Sequence, residues 1–153
     1  MTEPFTVADQ LEVRQLLARY PRCLDNRDAD GYAGLFAPDG VVEMQTGIVD
    51  GVAQFREVRG NAAIRAMVER LFTPSGPMAA AESTRPRLRH VVGEPVIEAS
   101  AEGCTALSYC VILRTSGEGA SVASMGEYTD ECVKVEGRWF FGRRRMAFQP
   151  VLG

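Results

Sequence analysis

The 153-residue chain has one histidine, His90, one tryptophan, and no pair of cysteines spaced as CxxC. That spacing excludes a zinc finger or a thioredoxin-type redox motif. Cys23, Cys104, Cys110 and Cys132 form no disulfide framework, so they read as reduced, buried thiols. No apolar run approaches the roughly 20 residues that a membrane helix needs. The opening Met1-Thr2-Glu3-Pro4 lacks the charged-then-apolar order of a signal peptide, so the expected compartment is the cytoplasm. An excess of positive charge is also missing. Seventeen Lys and Arg against twenty Asp and Glu leave a net charge of -3, which gives no basic face for nucleic acid. The one basic run, Arg143 to Arg145, lies in a strand pattern. Alternation splits it between two sheet faces, and it reads as solvated charge rather than a phosphate site.

What remains is an ordinary globular composition, 46% hydrophobic and 24% charged, at the size of one domain. No repeat or linker divides the chain, and residues 1–153 read as a single unit. Thr6 caps a first helix starting at Val7, with Asp9 in the capping-box position. Val13, Leu16, Leu17, Tyr20 and Leu24 form its apolar stripe. Pro21 removes one backbone donor and predicts a kink or break, which Asp25 needs if it is to face the core. Asp28 or Asp30 caps a short second helix carrying Tyr32, Leu35 and Phe36 inward. Pro38-Asp39-Gly40 ends that helix, and a strand starts at Val41. Gly47 to Gly51 reads as a turn or short edge strand. A third helix spans 61–72, with Ile64, Met67, Val68 and Leu71 on one face. Residues 73–86 read as a long loop and a mobile lid.

The second half changes to a strand period. Strands are expected at 88–93, 95–100, 105–115, 120–136 and 138–148, with a tight hairpin at Glu136-Gly137. Their length calls for bulges and curvature. The expected fold is α+β, a cone-shaped barrel in which three N-terminal helices pack on a strongly curved, mostly antiparallel sheet enclosing a pocket.

Three side chains carry candidate chemistry. Asp25 ends an apolar helix, His90 lies in an apolar strand, and Tyr20 sits on the inward stripe. Brought together, Asp would orient His as a general base and Tyr would donate to an oxygen. Each also has a plainer reading: a satisfied core histidine, a turn-capping aspartate, a core tyrosine.

The segments LLARYPRCLDNRDADGYAGLFAPDGVVEM, RLRHVVGEPVIEASAEGCTALSYCV and GEYTDECVKVEGRWFFGRRR resemble the SnoaL-like branch of the nuclear transport factor 2-like superfamily. The resemblance spans about Leu11 to Arg145. It implies the cone-shaped fold, with dehydratases, dehydrochlorinases, isomerases, cyclases and non-catalytic members among its relatives. In bile acid 7α-dehydratase a Tyr, an Asp and a His fall, motif by motif, on Tyr20, Asp25 and His90. Scytalone dehydratase shares the Asp and His positions, and so does a lindane-type dehydrochlorinase. The implied roles are His90 as base, Asp25 as orienter and Tyr20 as hydrogen-bond donor, without metal or cofactor. The chain departs from both dehydratases at their further catalytic position, where it reads SYCVILRT and offers neither Asp nor His. Leaving-group protonation then falls to Tyr20, Tyr109, Tyr128 or water.

The expected pocket wall is Tyr32, Phe36, Met67, Leu71, Phe72, Tyr109, Met125 and Tyr128, suited to a hydrophobic small molecule. The expected function is a cofactor-independent lyase or isomerase acting on a carbonyl-containing substrate. Its alternatives are a non-catalytic small-molecule-binding module and a polyketide-type cyclase. The strand 105–115 is apolar on both alternating sets, which implies a homodimer through its outer face.

Overall fold

A computed structural model describes residues 5–73, 75, 76, 78, 87–117 and 119–149. Helix α1 (Val7–Asp25) opens with a full capping box: Thr6 Oγ1 accepts from the Asp9 amide, and the Asp9 carboxylate accepts from the Thr6 amide. Val13, Leu16, Leu17, Tyr20 and Leu24 are buried along one stripe. Each fully buried aliphatic side chain contributes about 1.5–3 kcal/mol. Pro21 does not break the helix, which continues for one further turn to Asp25. The lost donor removes the single bond to the Leu17 carbonyl, and the helix continues past it.

Helix α2 (Ala29–Ala33) is capped by Asp28, which accepts from the Gly31 amide at 2.7 Å. The next strand starts earlier than the sequence suggests. β1 (Phe36–Val49) already pairs with the last strand at Phe36, and the register shifts between Phe36 and Val41, around Pro38. A proline is tolerated at such an irregularity because no ladder bond is asked of it. Gly40 is required there, since a β-carbon would meet Ala37 O and Phe36 Cβ, each at 2.9 Å.

The turn expected within Gly47 to Gly51 is the tip of a hairpin, whose second strand the sequence expectation lacked. Asp50 and Gly51, at φ 50° and 79°, turn β1 into β2 (Val52–Arg59) before α3 (Asn61–Leu71). Asp-Gly at two positive-φ positions is the type I′ signal. Of the segment expected to be a lid, most lies outside the described residues.

The remaining strands are β3 (Arg87–Val92), β4 (Val96–Ser100), β5 (Gly103–Ser116), β6 (Gly119–Val135) and β7 (Arg138–Gln149). The order is β2-β1-β7-β6-β5-β3, with β4 also paired to β5. Bulges fall at Ile112/Leu113 and Glu131/Cys132 in the two longest ladders. Glu136 and Gly137, at φ 48° and 78°, form the expected hairpin. The curved sheet is mixed, because β1 and β7 run parallel, and it stays open rather than closing into a barrel. Its concave side holds the helices and the core. No helix among the described residues is long and apolar enough to cross a membrane.

Candidate functional site

Strand β3 is the sheet edge, so one side of it has no neighbouring strand. The His90 amide points to that side, where no ladder carbonyl can receive it. The C-terminus of α1 supplies the partner. Asp25 Oδ2 accepts from the His90 amide at 3.2 Å, and Oδ1 lies 2.9 Å from His90 Nδ1. One carboxylate therefore fixes both the strand edge and the imidazole. The His90 side chain is 6% exposed and that of Asp25 15%. With Nδ1 directed at a carboxylate, Nε2 is the nitrogen left to accept a proton.

Tyr20, about 1.4 turns before Asp25, presents its ring edge-on to His90 with centroids 6.2 Å apart. The ring also meets Tyr32 at 5.4 Å and Tyr128 at 5.3 Å. Its hydroxyl lies 3.1 Å from Tyr128 Oη and 3.6 Å from Met146 Sδ. Burial raises the Tyr20 phenol to about 12, so the group is a neutral donor. Tyr128 in turn donates to Cys110 Sγ at 3.0 Å.

Beneath these rings lies a charge. Arg144 and Asp130 are both 0% exposed. Arg144 Nη2 donates to Asp130 Oδ2 at 3.1 Å. Its Nε is 3.0 Å from Oδ1 but off the hydrogen-bond line, so Nε, Nη1 and Oδ1 have no hydrogen bond. The guanidinium instead stacks on Tyr20, Tyr128 and Phe141, at 3.7, 4.3 and 4.5 Å from their centroids. Burial holds the Asp130 carboxyl up at about 6, and Arg144 opposes it.

The structure thus gathers Tyr20, Asp25 and His90. Tyr32, Phe36, Met67 and Tyr128 belong to the buried cluster around Tyr20, with Leu71 and Phe72 packed against it. Tyr109 and Met125 are corrected. They are 72% and 49% exposed on the opposite sheet face, because inward Ser108 and Cys110 flank Tyr109, and Met125 pairs with outward Val111. The solvated reading of the basic run fails at its middle member. Alternation sends Arg143 and Arg145 to Glu43, and Arg144 into the core. Cys110, Asp130, Arg144 and Met146 were not foreseen. Tyr128-x-Asp130 on one strand was their available signal, since two residues apart means one face.

Three concavities lined by described residues lie away from Tyr20, Asp25 and His90. The one of about 260 Å³ sits on the outer sheet face between Val96, Leu107 and Tyr109. The other two flank α1 beside Trp139 and the turn before α2. Among the described residues no three His, Cys, Asp or Glu side chains gather as a metal would require.

Residues 6–145 match the model of the SnoaL-like domain. No curated protein matches the chain. Among solved structures, a variant of Rv3472 from Mycobacterium tuberculosis, of unknown function, is 24% identical with a TM-score of 0.73, covering 96% of this chain and 80% of that one. ActVI-ORFA from Streptomyces coelicolor is 20% identical with a TM-score of 0.73, covering 92% and 96%. A protein assigned as a scytalone dehydratase from Novosphingobium aromaticivorans is 18% identical with a TM-score of 0.69, covering 94% and 85%. At these identities the likeness is one of fold.

Proposed function

The chain belongs to the SnoaL-like domain family, and on that footing we propose that it is a cofactor-independent lyase or isomerase, catalysing dehydratase-like β-elimination or proton transfer on a hydrophobic carbonyl-containing small molecule. The observation that carries this reading is the double hydrogen bond from Asp25 to His90. It holds the ring in one tautomer with Nε2 free. In the reaction, Nε2 removes a proton next to the carbonyl, and the Asp25 carboxylate faces the imidazolium that results. Tyr20, a neutral phenol, donates to the substrate oxygen that gains charge. Tyr32, Phe36, Met67, Leu71, Phe72 and Tyr128 supply the apolar wall. The four free thiols fit a reducing compartment, the cytoplasm. The apolar outer sheet face fits a homodimer.

A binding module is the second reading. It is favoured by the Tyr20 hydroxyl, which already contacts Tyr128 and Met146 inside the core. Ring opening of nitrobenzisoxazole, a flat general-base probe, separates the two. Turnover that His90→Ala abolishes supports the enzyme, and turnover no faster than free imidazole sinks it.

A further inference from the structure

The strand that lacks the further Asp or His of the dehydratases carries Cys110 facing inward, and Cys110 is fully buried. It sits opposite Val92, two residues along β3 from His90. The thiol touches Tyr128 Oη at 3.0 Å, and Tyr128 Oη touches Tyr20 Oη at 3.1 Å. All three groups are buried, and each has one hydrogen together with lone pairs. Such a chain can run in either direction. At rest Tyr128 directs its hydrogen at the sulfur, so the phenol pair is completed by the hydrogen of Tyr20, whose other acceptor is Met146 Sδ.

We propose that Tyr20, Tyr128 and Cys110 form a reversible proton relay that takes the place of the missing acid, with the Cys110 thiol as its inner end. This rests on the elimination reading above. When a substrate oxygen meets Tyr20, the chain reverses to run from Cys110 to Tyr128 to Tyr20 to substrate. In the delivery step the Tyr20 O–H bond breaks as the leaving oxygen takes its proton and departs as water. Tyr20 takes the proton of Tyr128, and Tyr128 takes that of the thiol. One negative charge then rests on sulfur. The carbon proton captured by His90 balances it, so the step ends with one imidazolium and one thiolate. The return of that proton through water restores both.

The surroundings suit this role. Burial raises the Cys110 thiol and keeps it protonated at rest, while Tyr128 and Arg144 oppose that rise. The Arg144 guanidinium, stacked on both phenols, also pulls down Tyr20 and Tyr128 against their burial, so it stabilises negative charge along the chain. Arg144 is therefore a positioning residue that acts through the rings.

The test reads the S–H stretching band of Cys110 by infrared in the substrate-free protein, with Cys110→Ala assigning the band. Tyr128→Phe removes the direct partner and must shift it. Tyr20→Phe touches no atom of Cys110, yet in a coupled chain it shifts the band as well. A Cys110 band unmoved by Tyr20→Phe overturns the relay. Fluorotyrosine placed at Tyr20 alone deletes no hydrogen-bonding atom and strengthens that phenol as a donor, so it gives the same reading if Tyr20→Phe fails to fold. With 4-hydroxy-4-phenylbutan-2-one, a β-hydroxy ketone whose hydroxyl must be protonated to leave as water, Cys110→Ala lowers kcat roughly tenfold with KM little changed, the mark of a group acting in the transition state. An unmoved kcat overturns the relay while leaving the base reading intact. A coupled band with turnover indifferent to His90→Ala overturns the elimination reading instead.

Discussion

Asp25 spends both carboxylate oxygens on a single residue, His90: Oδ1 on the imidazole Nδ1 and Oδ2 on the backbone amide. The helix end and the strand edge are thereby locked in one geometry. Asp25→Asn keeps the size but loses the charge and half of the acceptor capacity. It is expected to lower kcat for nitrobenzisoxazole about 10²-fold with little change in KM. The downfield Nδ1 proton of His90, resolved by NMR because the chain has one histidine, is expected to vanish with it. A variant that kept that resonance would show that another acceptor orients the ring.

Arg144 and Asp130 illustrate how a buried ion pair fails. Both side chains are fully buried, so removing one partner strands a charge. Arg144→Met is expected to cost about 3–5 kcal/mol, measured by urea unfolding. The double variant Arg144→Met with Asp130→Leu is expected to recover most of that loss. If the double variant were as unstable as the single one, the cost would lie in the stacking on Tyr20, Tyr128 and Phe141 instead.

This pair marks where the sequence stopped being informative. The helix stripe, the cap at Thr6 and the hairpin at Glu136-Gly137 follow from local rules of period and turn chemistry, and the structure has them all. The meeting of Tyr20, Asp25 and His90 was legible because the helix end and the strand each carried one polar group in an apolar pattern. Alternation correctly split Arg143 to Arg145, but it could not say which face was buried. That depended on Asp130, fourteen residues away across a bulged hairpin. Tyr109 failed for the converse reason. Strand β5 is apolar on both sides, so its pattern could not name the inner face until the register fixed Ser108 and Cys110 there. Asp50-Gly51 was a plain turn signal, and the strand after it was missed because Gln54, Arg56 and Arg59 make an exposed, polar edge.

Asp9 links acid stability to the first helix. Its carboxylate accepts from Lys134, from the hydroxyl and amide of Thr6, and from Trp139 Nε1, which hold it well below the ordinary carboxylate range. A lowered folded value means that the unfolded chain binds the proton first. The stabilisation is therefore complete above the unfolded value near 3.8 and fades as the pH falls below it. Asp9→Asn is expected to flatten the acid limb of a Tm-against-pH curve below about pH 4. An acid limb as steep as the wild type's would place the titrating group elsewhere.

The outer sheet face carries the last expectation. Register aligns Val91, Val111 and Met125 across three strands, with Leu113 beside Val122 in the next row and Val96 beside Leu107 two rows the other way, past Tyr109. Tyr109, Leu107, Val96, Val122 and Met125 are all exposed there. An apolar patch spanning four strands is expected to be covered by a partner rather than left bare on a monomer. A second copy covers it best, because a two-fold axis lets the patch meet itself. Light scattering at micromolar concentration is expected to give twice the chain mass of 16.7 kDa. Met125→Lys, placed against Val111 in the middle of the patch, is expected to halve that mass while leaving the Asp25–His90 resonance unchanged. A wild-type monomer would refute the dimer and leave this face to some other partner.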